Sequence, residues 1–158
     1  DSLPPQGEPN SVEGGVREPV LATELDDVLG LRQILEPGAA RAAAGRSLTA
    51  ADREVLWARA GETAASSVSD YRRVDSRLHL TIVELAGIPS LAPLVADNRT
   101  RVNGLLDRIP LLEPNIAHSN QQHEAIVIAI LTGDADRADA AMREHLDGSA
   151  ALLRAFLG

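Results

Sequence analysis

Two residues four positions apart, Asp75 and His79, combine the side-chain types and the spacing of a metal-binding pair. On an α-helix, side chains at this spacing lie on one face about one turn apart, so both could bind the same ion. The apolar residues Tyr71, Leu78 and Ile82 share that face. An aspartate directed into a core is costly unless it is paired, hydrogen-bonded or bound to a cation, and a metal ion would account for its position.

Two more histidines lie on the apolar faces of later predicted helices. His123 precedes Ile126 by three residues, and His145 follows Met142 by three. Periodicity therefore directs three of the four histidines, together with the aspartate, towards the interior of one bundle. His118 lies five residues before His123 and does not share its face, so it is not included in the predicted site.

Each of these residues also has an interpretation without a metal. A single histidine on an apolar face is more often a hydrogen-bonded core residue, and Asp75 could pair with an arginine such as Arg32. Three inward imidazoles and one carboxylate leave few partners of opposite character, whereas one divalent cation satisfies all four. Nitrogen and oxygen donors favour Zn²⁺ as the first candidate, with Ni²⁺, Mn²⁺ and Fe²⁺ as alternatives.

Three polar residues occupy positions where the helix patterns would otherwise be apolar: Arg32 in the first helix, and Asn98 and Arg101 in the fourth. Arginine offers two parallel N–H donors to a carboxylate, and asparagine can bind hydroxyl or carbonyl groups. The three residues therefore predict a site for a small carboxylate beside the metal. A structural ion pair, or a side chain that extends to solvent, is the alternative for each.

The composition excludes several classes of function. A chain of 158 residues without cysteine fits one ordinary domain and cannot form disulfides or thiolate metal sites. Its net charge of −8 opposes binding to nucleic-acid phosphates, so this chain alone is not expected to bind DNA. It contains no apolar run near the roughly 20 residues that span a bilayer, and we predict a cytoplasmic protein without a membrane segment.

The residue pattern predicts an all-α protein, an antiparallel bundle of about six to seven helices, because Ala, Leu and Arg are frequent and the connections are short. Residues 1–20 are rich in Pro, Gly and acidic residues and are predicted to be a linker or a remnant of another domain. The helices are predicted at about 21–46 with a kink at Pro37, 49–61, 65–86, 89–105, 116–132 and 134–156.

Four segments of the chain resemble the FadR C-terminal domain (FCD) of GntR-family transcription regulators. They are LRQILEPGAARAAA from Leu31, VDSRLH, AGIPSLAPL and QHEAIVIAILTGDADRADAAMREHL. The resemblance extends over about residues 21–157. It implies an FCD-like helical bundle in which Asp75, His79, His123 and His145 bind a divalent metal. The chain departs from the family pattern at Ile88 and at Gln122, where a small polar residue and a glutamate are usual.

The resemblance implies that residues 21–158 are the effector-sensing and dimerisation domain of a bacterial regulator. A small carboxylate effector would be oriented by Arg32, Asn98 and Arg101. The protein would be a homodimer that contacts DNA only through a winged-helix domain absent or incomplete in this chain. No catalysis is expected. The alternatives are a metal-dependent hydrolase, with Glu84, Glu124 or Glu144 as base, and a dimerisation module whose metal is purely structural.

Overall fold

The structure, a computed structural model, describes residues 19–158. Within this range there are six α-helices and no β-strand, which confirms the predicted all-α fold. No helix in the described range is long and apolar enough to cross a membrane. The predicted linker falls almost wholly on residues 1–18, which lie outside the described residues. The helices are α1 (Ala22–Ala44), α2 (Ala50–Ala65), α3 (Tyr71–Leu85), α4 (Leu91–Leu106), α5 (Glu113–Leu131) and α6 (Ala135–Leu157).

Helix α1 is the central element of the bundle. It packs against α3, α4, α5 and α6, whereas α2 packs mainly against α3 and α5. The helix continues through Pro37, as the sequence pattern predicted for a single helix there. Its buried face carries Leu25 and Leu29 near the beginning and Ala40 and Ala43 near the end. Between these apolar groups, α1 also buries polar side chains. Charged groups therefore lie inside the bundle.

The beginnings of α2 and α6 are fixed by side-chain caps. The Thr49 hydroxyl accepts a hydrogen bond from the backbone N–H of Asp52 at 3.1 Å, and the Asp52 carboxylate accepts one from the Thr49 N–H at 3.3 Å. This reciprocal pair satisfies two N–H groups that a helix start leaves free. At the start of α6, the Asp134 carboxylate accepts a hydrogen bond from the N–H of Arg137 at 3.0 Å.

Two glycines end helices, and a third does not. Gly87 and Gly133 have φ values of 71° and 73°, the left-handed region that glycine enters at low cost, and they follow α3 and α5. Helix α2 was predicted to end near Gly61 but continues to Ala65. Gly61 is not among the positive-φ glycines of the described chain, so it does not interrupt the helix.

Two of the three apolar clusters of the described chain flank the buried polar residues along α1 and α6. The larger cluster joins α1, α2, α3, α5 and α6 and includes Leu78, Ile126 and Met142. The second joins α1, α4 and α6 and includes Leu25 and Leu153. Along α6, His145 lies between Met142 of the first cluster and Leu153 of the second. Burial of these apolar surfaces stabilises the helix positions and so fixes the polar side chains between them.

Candidate metal centre

The four residues predicted to bind a metal lie together in the interior. Asp75 and His79 come from α3, His123 from α5 and His145 from α6. One donor atom from each residue lies within 4.8 Å of all the others. Their exposed fractions are only 6%, 1%, 3% and 4% in that order. His118, which was left out of the predicted site, is exposed and contacts Gln122 instead.

The spacing of the donor atoms fits one small cation. His123 Nε2 lies 3.3 Å from His79 Nε2 and 3.1 Å from His145 Nε2. Asp75 Oδ1 lies 3.3 Å from His79 Nε2 and 3.0 Å from His123 Nε2. Metal–ligand bonds of about 2.0–2.1 Å at tetrahedral angles would place neighbouring donors about 3.3 Å apart. Four of the six donor separations are therefore close to those expected around one divalent ion, and all six lie within 4.8 Å.

The outer nitrogen atoms of two histidines determine what the inner nitrogen atoms can do. His79 Nδ1 lies 2.6 Å from Glu36 Oε1, and His145 Nδ1 lies 2.8 Å from Gln122 Oε1. Both partners are acceptors, so Nδ1 carries a proton in each ring, and in the neutral ring Nε2 presents a lone pair. Two lone pairs then point with the Asp75 carboxylate into one small space. A cation removes the repulsion between them.

Asp75 uses its two oxygen atoms differently. Oδ1 faces the histidines, whereas Oδ2 accepts a hydrogen bond from Arg99 Nη2 at 2.9 Å. Burial by itself would raise the pKa of Asp75, but His79, His123 and Arg99 outweigh burial and hold the pKa well below its usual value. The carboxylate is therefore ionised and can bind a cation through Oδ1 while Arg99 fixes its orientation.

Two of the imidazoles are held in the neutral form that binds metals. Burial lowers the pKa of His123, although the hydrogen bond and the charge of Asp75 act in the opposite direction. Burial also lowers the pKa of His145 well below its usual value, and the neighbouring His123 and His79 lower it further. A metal ligand must be unprotonated, so this environment favours ligation at neutral pH.

The three residues predicted to orient a ligand occupy different environments. Arg32 is 3% exposed, and its Nε donates to Glu36 Oε2 at 2.8 Å, but its buried Nη1 has no partner within residues 19–158. Asn98 is buried and its amide donates to the carbonyl oxygen of Val28 at 3.1 Å. The structure does not bring Arg101 to the histidines. Its side chain is 41% exposed and pairs with Asp27 at 2.9 Å.

Sequence reasoning missed two charged residues of the centre, Glu36 and Arg99. Glu36 is 1% exposed, and its carboxylate accepts hydrogen bonds from His79, Arg32 and Arg99. Burial would raise its pKa, but these three groups hold the pKa well below the usual value. A sequence signal existed for Arg99, because it follows Val95 by four residues on the face that α4 buries. Arg101 lies about 200° further around the helix, at about 100° per residue.

A cavity of about 170 Å³ between α5 and α6 adjoins the centre. It is lined by His145 and Gln122 and by neutral polar groups that include Asn115, Ser119 and Ser149. A larger groove of about 600 Å³ lies elsewhere, where Arg101 approaches the beginning of α1. The smaller cavity is the relevant one for the metal centre because a candidate ligand forms part of its wall.

The glutamates considered for a hydrolase do not face this centre. Glu84, Glu124 and Glu144 are all exposed on the outer sides of their helices. A general base must lie within hydrogen-bond reach of the water that it activates, directly or through one further water. The alternative of a metal-dependent hydrolase therefore has no support in the described arrangement.

Sequence comparison matches residues 27–148 to the FCD domain family. The match includes all four residues of the histidine and aspartate cluster, as well as Glu36 and Arg99. It extends over most of the chain. A comparison with curated proteins gives no match.

Proposed function

The chain belongs to the FCD domain family, the regulatory effector-binding and dimerisation domains of GntR-type transcription regulators, and on that basis we propose that it senses a small carboxylate through a buried divalent metal. FCD domains are a regulatory, non-catalytic family.

One observation carries the metal part of the proposal. Asp75 Oδ1 and the Nε2 atoms of His79, His123 and His145 are buried within 4.8 Å of one another, while outer partners direct two of the rings inward. We propose Zn²⁺ as the ion, with Ni²⁺, Mn²⁺ and Fe²⁺ as alternatives for the same donor set. When bound, the ion would supply a positive centre for an anionic oxygen.

Arg32 supports the carboxylate part of the proposal. Its guanidinium is almost fully buried, yet Nη1 lacks an acceptor in the part of the chain that the structure describes. A buried donor without a partner costs about 1–3 kcal/mol, and an anionic ligand would satisfy it. The cavity beside His145, whose lining includes Gln122 but not Arg32, offers separate neutral donors and acceptors for a small hydroxylated acid. The predicted roles of Asn98 and Arg101 in ligand binding stay predictions, since their side chains contact Val28 and Asp27.

We further propose that the domain acts as a homodimer and that DNA is bound by a separate winged-helix domain of the regulator. The net charge of −8 supports this division, because a protein that binds phosphates by itself needs clustered cationic groups. Effector binding would regulate DNA binding by favouring one arrangement of the dimer over another, which requires a different affinity for the two states.

The test is calorimetric titration of metal-loaded protein with a panel of hydroxy acids and dicarboxylic acids. We expect at least one acid to bind, and binding to disappear when the metal is removed by chelation. Arg32→Gln should weaken binding at least about tenfold, since a charge-assisted hydrogen bond contributes about 1.5–3 kcal/mol. Arg154→Gln is the matched comparison and removes only an exposed ion pair. Metal-loaded protein that binds none of the acids contradicts the effector proposal.

A further inference from the structure

Glu36 is the most deeply buried acidic residue near the histidine cluster. It lies on α1 with 1% of its surface exposed, and it is not one of the four candidate ligands. A buried carboxylate must be compensated by several donors, and Glu36 has three. Arg32 Nε donates to Oε2 at 2.8 Å, Arg99 Nη1 lies 3.5 Å from Oε1, and His79 Nδ1 lies 2.6 Å from Oε1.

The contact with His79 is the shortest of the three and decides the chemistry of that ring. Because the ionised Glu36 can only accept, Nδ1 of His79 must carry the proton and Nε2 is left to face the cluster. A His79 ring turned by 180° would place carbon atoms at the present positions of Nδ1 and Nε2. A carboxylate behind a histidine ligand also makes the opposite nitrogen a stronger donor to a metal.

The three histidines have unequal outer partners. His79 has the charged carboxylate of Glu36, and His145 has the neutral amide oxygen of Gln122 at 2.8 Å. The buried Nδ1 of His123 has no partner among the described residues. A hydrogen bond to a charged group is roughly twice as strong as one between neutral groups. Glu36 therefore orients its ring more firmly than the other outer residues do.

We propose that Glu36 is a positioning residue for the metal centre: it fixes the tautomer and orientation of His79 and thereby raises the affinity of the site for a divalent cation. This inference rests on the metal site proposed above. Glu36 itself does not bind the ion. Its contacts with Arg32 and Arg99 hold the carboxylate in place, so that the geometry of His79 is set before a metal arrives.

The first experiment compares Zn²⁺ affinities of the wild-type chain and Glu36→Gln by competition with a chromophoric chelator. We expect the dissociation constant to rise about 10- to 100-fold, the usual loss when the outer partner of a metal ligand is removed. Cobalt-loaded protein should show an altered visible absorption spectrum. The control is Val28→Ala on the same helix, which removes buried methyl groups; it should melt at a lower temperature but keep its Zn²⁺ affinity within about twofold.

A double-mutant cycle separates positioning from general stability. In a His79→Ala background, Glu36→Gln should change the Zn²⁺ affinity by less than about twofold, because the ring on which it acts is gone. In a His145→Ala background the full loss should remain. An equal loss in both backgrounds, or a Glu36→Gln affinity within about twofold of wild type, overturns the role of Glu36. If the wild-type chain itself binds neither Zn²⁺ nor Co²⁺, the proposed metal centre is what fails.

A measurement on the wild-type protein covers the case in which Glu36→Gln does not fold. The ¹⁵N chemical shifts of the His79 ring in zinc-loaded protein should show a protonated Nδ1 and a metal-bound Nε2. Binding of the metal through Nδ1 would contradict the proposal, since that atom could not then donate to Glu36.

Discussion

Replacement of His123 by leucine should separate metal binding from the stability of the metal-free protein. His123 is 3% exposed, and its buried Nδ1 has no partner in the described chain. Removal of this group relieves a cost of about 1–3 kcal/mol. The change also removes the contact between Nε2 and Asp75 Oδ1 at 3.0 Å, which is of similar size and opposite sign. The free energy of unfolding of the metal-free protein should therefore change by no more than about 1 kcal/mol.

The metal-bound protein should respond much more strongly to His123→Leu. Structural zinc sites with four protein ligands bind with about 10–16 kcal/mol, or roughly 3 kcal/mol per ligand. The loss of one ligand therefore weakens metal binding about 100-fold, and with metal in excess this removes about 2.7 kcal/mol of stabilisation. At about 3–4 °C per kcal/mol for a domain of this size, the melting temperature with metal should fall by about 10 °C.

Thermal unfolding measured in a chelator and again in excess Zn²⁺ gives both quantities for each protein. Wild type should show a large rise in melting temperature with zinc, and His123→Leu a rise about 10 °C smaller. His118→Leu is the matched control, because His118 is exposed and lies outside the cluster. A zinc response of His123→Leu equal to that of wild type would refute the assignment of His123 as a ligand. If metal-free His123→Leu is several kcal/mol less stable than wild type, the lost contact with Asp75 and the relieved cost of the buried Nδ1 do not cancel, and the reasoning is refuted.

Two more predictions concern the metal-free protein. Burial lowers the pKa of His123 and His145 in the folded state. Near pH 6.5 these two imidazoles therefore bind protons in the unfolded chain but not in the folded chain. The free energy of unfolding measured in urea should therefore fall as the pH is lowered through about 6.5, with a slope that corresponds to the uptake of up to two protons per molecule on unfolding. A free energy of unfolding that stays constant between about pH 7.5 and about pH 5.5 would contradict the conclusion that both imidazoles are neutral in the folded protein. Gly87→Ala should destabilise the fold by about 1–3 kcal/mol, because φ is 71° there and a Cβ would lie 2.6 Å from the Arg46 guanidinium; unchanged urea unfolding would show that the turn relaxes freely.

The sequence by itself determined those features that depend on residues close together in the chain. Thr49 and Asp134 begin helices, and Gly87 and Gly133 end them, because each acts on backbone groups within about four residues. The pairing of Asp75 with His79 follows in the same way from helical geometry. The inward direction of His123 and His145 could be predicted because both lie in register with buried apolar residues.

Only the tertiary structure decided which side chains from different helices meet. Glu36 and His79 are 43 residues apart, and nothing in local periodicity relates the rotation of α1 to that of α3. The same reason explains why Arg99, and not Arg101, reaches Asp75: both stand near apolar positions in the sequence, but the packing of α4 against α1 and α3 selects the buried face. One residue step turns a side chain by about 100°, so the relative rotation of packed helices, which long-range burial sets, determines the composition of the centre.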